Sequence, residues 1–264
     1  VCRALTARGA DYLVTNAQGA SAENEAVDHR QHGVLRLFRP TPSDQEFTDA
    51  KIEAEPRLRA AAAGNVAALG EAAAADEGPI TALMVASRAG RPEAVEALLR
   101  SGARVDARSA RGCTALSLAA EAGEAAIVRL LVARGASVDL AGASGATPLY
   151  QASRFGYTAC AAALVAAEAK LDAAARAGET ALSIACDGGQ EAVARLLLEA
   201  KADAEAALRD GRTPLIIACT GGHLPCAAAL LAAKANVDAV SNSGRTALSF
   251  ASQAGYERVV GALL

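Results

Sequence analysis

Tryptophan is missing from this chain of 264 residues, methionine occurs once, and tyrosine and phenylalanine occur four times each. With aromatics at 3% there are few rings on which nucleic-acid bases could stack. A surplus of either charge is missing too. The 26 Lys and Arg nearly balance the 29 Asp and Glu, and neither sign forms a long run, which argues against a nucleic-acid footprint and against a polybasic membrane patch. No apolar stretch approaches the roughly 20 residues that a bilayer crossing needs, so a soluble chain is expected. Histidine occurs three times. His29 and His32, beside Asp28, could share a helix face but lack the further ligands of a metal site, and His223 follows a glycine at a helix start. Nowhere does a nucleophile stand with a base and an orienting group, and no G-x-x-x-x-G-K-S/T loop occurs. Neither catalysis, nor a cofactor, nor a metal is expected.

What the chain has is alanine, leucine and a period. Hydrophobic residues make up 52% of it, and the best helix formers supply most of them. Thr81, Thr114, Thr147, Thr180, Thr213 and Thr246 stand 33 residues apart, each followed by Leu at +2, Ala at +5, Gly at +9 and Leu at +17. A fixed period of this length marks a supersecondary unit stacked on copies of itself. In the unit from Gly112 to Asp139, Leu116, Ala119 and Ala120 recur at helical spacing, Gly123 interrupts, and Ile127, Val128, Leu130 and Leu131 resume the spacing. Two short helices joined by a glycine turn follow. Thr114 is placed to cap the first, and Pro148 and Pro214 fall at a first helical position, where proline gives up no hydrogen bond. Gly135 reads as a left-handed cap that ends the second helix. The polar stretch from Ser137 to Ala146, with Gly142 and Gly145, suits a hairpin-like turn.

These residues resemble the ankyrin repeat, with its G-x-T-P/A-L-x-x-A-x-x-x-G, V-x-x-L-L and G-A-x-V-D/N segments. The resemblance is clear over 78–264, as six regular repeats of 33 residues with the last cut off at the C-terminus. It implies an all-α solenoid of stacked helix–turn–helix units with projecting β-hairpin-like fingers and a concave recognition face. Residues 1–77 read as degenerate or capping repeats. Val1–Asp11 aligns on Ile127–Ser137, Glu23 and Arg30 depart from the pattern, and Leu58, Ala60 and Gly64 resemble a shortened unit. Ser43 and Glu46 are spaced as a capping box for an inserted helix near 43–54. Both ends read as edges of a fragment. The array departs from its family in two ways. The histidine that follows T-P-L is replaced by Met84, Ser117, Tyr150, Ser183, Ile216 and Ser249, so its hydrogen bonds must be lost or rebuilt with hydroxyls. The capping glycine of Gly102 and Gly135 becomes Glu168, Lys201 and Lys234, which would cost about 1–2 kcal/mol each in a left-handed backbone.

Four of the six cysteines occupy small-apolar columns of the repeat: Cys186 and Cys219 at +6, Cys160 and Cys226 at +13. Members of one column sit a repeat apart, and packed helices lie about 8–10 Å apart, beyond the roughly 7 Å between Cα atoms that a disulfide tolerates. Buried, inert thiols in an intracellular, cytoplasmic chain are expected.

The residues left over by stacking point to binding. Arg108 and Arg111, Arg176, Arg209 and Arg212, and Arg245 fall at the finger tips, and Tyr150, Arg154 and Phe155 fall on the groove side of a first helix. Tyr, Arg and Phe are types enriched in interface cores. The expected function is a protein–protein interaction module, a scaffold or adaptor, holding an acidic and partly apolar partner segment on its concave face and finger tips. Two other readings stay open: a regulatory or targeting arm of a larger enzyme or channel, and a fixed subunit of a large assembly.

Overall fold

The computed structural model describes Ile52, residues 55–69 and residues 80–264, all within the compact unit Glu46–Leu264. The expected repeats of residues 1–51 and most of the expected helix near 43–54 lie outside the described residues. Among the described residues there are 14 helices and one isolated antiparallel bridge, Val240 to Thr246.

The helices come in pairs. They are α1 (Pro56–Ala63) and α2 (Val66–Leu69), α3 (Ala82–Arg88) and α4 (Pro92–Arg100), α5 (Ala115–Ala122) and α6 (Ala125–Ala133), and α7 (Pro148–Phe155) and α8 (Thr158–Ala166). After these come α9 (Ala181–Asp187) and α10 (Glu191–Glu199), α11 (Pro214–Thr220) and α12 (Leu224–Ala232), and α13 (Ala247–Ala254) and α14 (Glu257–Leu263). Within each pair the two helices pack together. Each first helix also packs on the first helices of the neighbouring pairs, and each second helix on the second helices.

The period dictates this arrangement. Each repeat threonine is an extended residue whose hydroxyl accepts the amide three residues on, as at Thr114 and Ser117, so every first helix from α3 onward starts at a satisfied cap. Leu83, Leu116, Leu149, Leu182 and Leu215 at +2, and Leu98, Leu131, Leu164, Leu197 and Leu230 at +17, are almost wholly buried. Burying such a leucine contributes about 1.5–3 kcal/mol. The +5 alanines from Ala86 to Ala251 are fully buried, which lets the first helices approach closely. Glu168, Lys201 and Lys234 do keep the left-handed backbone, at φ 60°, 73° and 66°.

The serine hydroxyls that stand where the family carries histidine, Ser117, Ser183 and Ser249, donate within their own repeat. Ser117 and Ser183 each bond the amide and carbonyl of the repeat's own threonine. Acidic side chains join the repeats instead. Asp106 accepts from the Ser137 amide, Asp139 from Lys170, Asp172 from Asp203 and Glu205 from Asn236, at 2.7–3.0 Å.

Candidate functional site

Five fingers follow the second helices. In each, the amide five residues before the next repeat's threonine donates to the carbonyl just before that threonine and closes a tight turn, as Ser109 N to Cys113 O and Ala175 N to Glu179 O. The last turn position is a glycine with positive φ: Gly112, Gly145, Gly178, Gly211 and Gly244. At Gly145 and Gly178 a Cβ would lie 3.1 Å from backbone of the next finger, so glycine also permits the close approach. Neighbouring fingers are joined by one amide each, Ala143 to the Arg111 carbonyl, Arg176 to Ser144, Arg209 to Ala177 and Asn242 to Asp210, at 2.8–3.1 Å. The fingers are therefore held in a row at the spacing of the repeat.

The finger arginines differ in what they touch. Arg108, Arg111, Arg176 and Arg209 are exposed. The Arg108 guanidinium donates to the Ala141 carbonyl of the next finger at 2.6 Å. Arg212 turns back on Asp210, Nε to Oδ2 at 2.7 Å. Slight burial works to raise the Asp210 carboxyl, but the hydrogen bonds and charge of Arg212 outweigh it and hold the group below its usual range. Arg245 folds onto the face of its own first helix, 4.1 Å over the Phe250 ring and hydrogen-bonded to Gln253.

On the first-helix face, Tyr150, Arg154 and Phe155 are all half-buried on α7. Tyr150 and Arg154 are four residues apart and share a helix face; Phe155 is five from Tyr150 and turns about 140° away from it. The Arg154 guanidinium lies 5.4 Å over the Phe155 ring, and that ring meets Tyr157 with centroids 6.0 Å apart. The aromatic grouping is thus Arg154, Phe155 and Tyr157, at the turn end of the helix pair, while Tyr150 lies in the first turn beside the finger.

Tyr157 was not singled out by the sequence pattern. Its signal is the column at +10, occupied by Arg91, Glu124, Tyr157, Gln190, His223 and Tyr256. Each of these side chains lies against the +9 glycine of the preceding repeat, where a Cβ would stand within 3.1 Å of it. His223 also reaches the Asp187 carbonyl with Nε2 at 3.1 Å, so Nε2 carries the proton that it donates. Burial lowers the pKa of its ring.

Cys160, Cys186, Cys219 and Cys226 are fully buried, Cys113 is half-buried, and all five are free. Burial pushes Cys160 and Cys219 up to about 11. Cys186 hydrogen-bonds Cys226, and that bond together with burial raises the Cys186 pKa. Among the described residues no group of three or more His, Cys, Asp and Glu side chains could hold a metal, and no helix is long and apolar enough to cross a membrane. A shallow cavity of about 300 Å³ is lined by Gly222, Leu224, Gly255 and Tyr256–Val259, none of which is a candidate binding residue named from the sequence.

Paired helices stacked in register, with turn-closed fingers between the pairs, define an α-helical repeat solenoid. Ankyrin repeats match residues 58–142, 139–207 and 201–264, and the chain belongs to the ankyrin repeat family. No curated protein matches the sequence. Ankyrin repeats are in general protein–protein interaction modules and are typically non-catalytic.

Proposed function

We propose that this chain is a scaffold or adaptor that captures a partner protein on its first-helix face and finger row, without catalysis and without a cofactor. The partner segment is acidic and partly apolar. The reading rests chiefly on the finger row, in which interfinger amides hold three arginine-bearing fingers in line, with exposed Arg108 and Arg111 on the first, Arg176 on the third and Arg209 on the fourth. Arg212, Arg245, Tyr150, Arg154 and Phe155 complete the surface. Such a surface is formed before the partner arrives, which spares part of the ordering cost of association. The chain acts inside the cell, where reducing conditions suit five free thiols.

The test is affinity capture with the intact chain, identification of the captured protein, and titration of that protein by calorimetry. Replacing Tyr150, Arg154 and Phe155 together by alanine is expected to weaken binding at least tenfold, and reversing Arg176 and Arg209 to glutamate is expected to do the same. Unchanged affinity in both folded variants would remove the proposed surface.

A further inference from the structure

The geometry points to the turn end of α7, rather than the fingers, as the anchor of the captured segment: Phe155 and Tyr157 receive an apolar side chain of a partner peptide and Arg154 receives a carboxylate beside it. This rests on the proposed function and narrows it.

Three observations carry it. First, Tyr157 is a large hydrophobic residue left 37% exposed beside the half-buried Phe155. Second, both rings are held in place. Phe155 is the last residue of α7, and the Tyr157 amide bonds the Ala152 carbonyl at 2.9 Å. The Tyr157 ring rests on Gly123, 2.8 Å from where a Cβ would stand, and Gln190 fills the equivalent space over Gly156. The floor beneath the rings therefore admits no other side chain, and the rings meet a partner already oriented. Third, Arg154 lies over Phe155, and among the described residues no carboxylate is ion-paired with it.

Charge then sets the register. The column of Arg154 reads Arg88, Glu121, Arg154, Asp187, Thr220 and Gln253. An acidic side chain displaced by one repeat from Arg154 would meet Glu121 or Asp187, and like charges there disfavour the slip. Arg88 lies two repeats away and has no ring at the position of Phe155, where Ala89 stands. An apolar residue adjacent to an Asp or Glu thus fits at one place on this face. Buried Tyr, Phe and Arg contacts are the kind that concentrate binding energy.

The experiment uses a phage-displayed library of random dodecapeptides panned on the immobilised chain, with enriched peptides titrated by fluorescence anisotropy. Enriched sequences are expected to pair Leu, Ile or Phe with Asp or Glu. Phe155→Ala and Arg154→Glu are each expected to weaken them at least tenfold, Tyr157→Ala to weaken them at least threefold, and Arg176→Ala with Arg209→Ala to weaken them less than threefold. A thermal melt of each variant separates lost contact from lost fold, and Arg154→Glu, at a half-exposed position, is the variant that decides. Peptides that depend on Arg176 and Arg209 but not on Arg154 or Phe155 would overturn the anchor and leave the proposed function standing. Enrichment of basic peptides, or no enrichment, would overturn both.

Discussion

Lys201 and Lys234 each hold a backbone conformation that a side chain resists, and nothing in their surroundings compensates. At the equivalent Gly102 and Gly135 a Cβ would meet open space, so the position asks only for the conformation and not for a side chain. The steric conflict between Cβ and the following carbonyl then stands as a local cost of about 1–2 kcal/mol. Glycine removes it but loses more entropy on folding. The expected gain is about 1 kcal/mol for Lys201→Gly and for Lys234→Gly, additive because the two caps share no contact. Urea denaturation should show both midpoints rising at constant slope. A fall in either midpoint would mean that these lysines stabilise their caps by a contact outweighing the strain. Ser87 and Ser153 show another residue-scale cost, since both hydroxyls are buried without a hydrogen-bond partner. Small side chains fit that column, and the stack tolerates an orphaned hydroxyl where a larger residue would not fit.

Helix ends do the joining at the next scale. The last carbonyls of an α-helix lack partners inside it, and α9 finds one for Asp187 in the His223 ring at the start of α12. Burial holds the His223 pKa below its ordinary value of 6.5. The unfolded chain therefore binds more protons than the folded chain at pH values just under 6.5, and stability there rises with pH. Acidification from pH 7 toward 5 is expected to lower the melting temperature, and His223→Gln, which keeps a side-chain N–H donor, is expected to lose less over the same interval. Identical pH profiles for both proteins would show that His223 carries no part of the dependence. At this scale the sequence was legible wherever a contact recurs within one repeat: threonine caps, glycine turns and buried leucines all follow from fixed offsets. It was not legible where a contact crosses between columns. Cys186 and Cys219, compared within their own column, gave no hint that Cys186 meets Cys226 from a different one. The pairing of Phe155 with Tyr157 depends on how the +10 side chain seats on the preceding repeat. Arg245 resembled the other finger arginines until its neighbour Phe250, an aromatic ring in a column otherwise filled by Val85, Leu118, Gln151, Ile184 and Ile217, drew it onto the helix face.

For the described stack as a whole, stability is a sum of repeat terms and neighbour terms, because each unit touches only the next. Weak caps need not lower stability evenly along such an array. Lys201 ends α10 and Lys234 ends α12, in the repeats that carry Cys186, Cys219 and Cys226, whereas the third strained cap, Glu168, ends α8 in the repeat of Cys160. A buried thiol becomes reactive only when its repeats separate, and its alkylation rate reports the local opening free energy. Cys113, half-buried, is expected to label before the four buried thiols. Removing about 1 kcal/mol of strain lowers an opening population about fivefold. The double variant Lys201→Gly and Lys234→Gly is therefore expected to slow maleimide labelling of Cys186, Cys219 and Cys226 by at least that factor, and to slow Cys160 less. Mass spectrometry of the labelled peptides resolves each site. If all four thiols slow equally, the repeats open together and the neighbour terms outweigh the differences between caps. If Cys160 is spared, the array opens from its later repeats, and the surface of α7 remains assembled while they open.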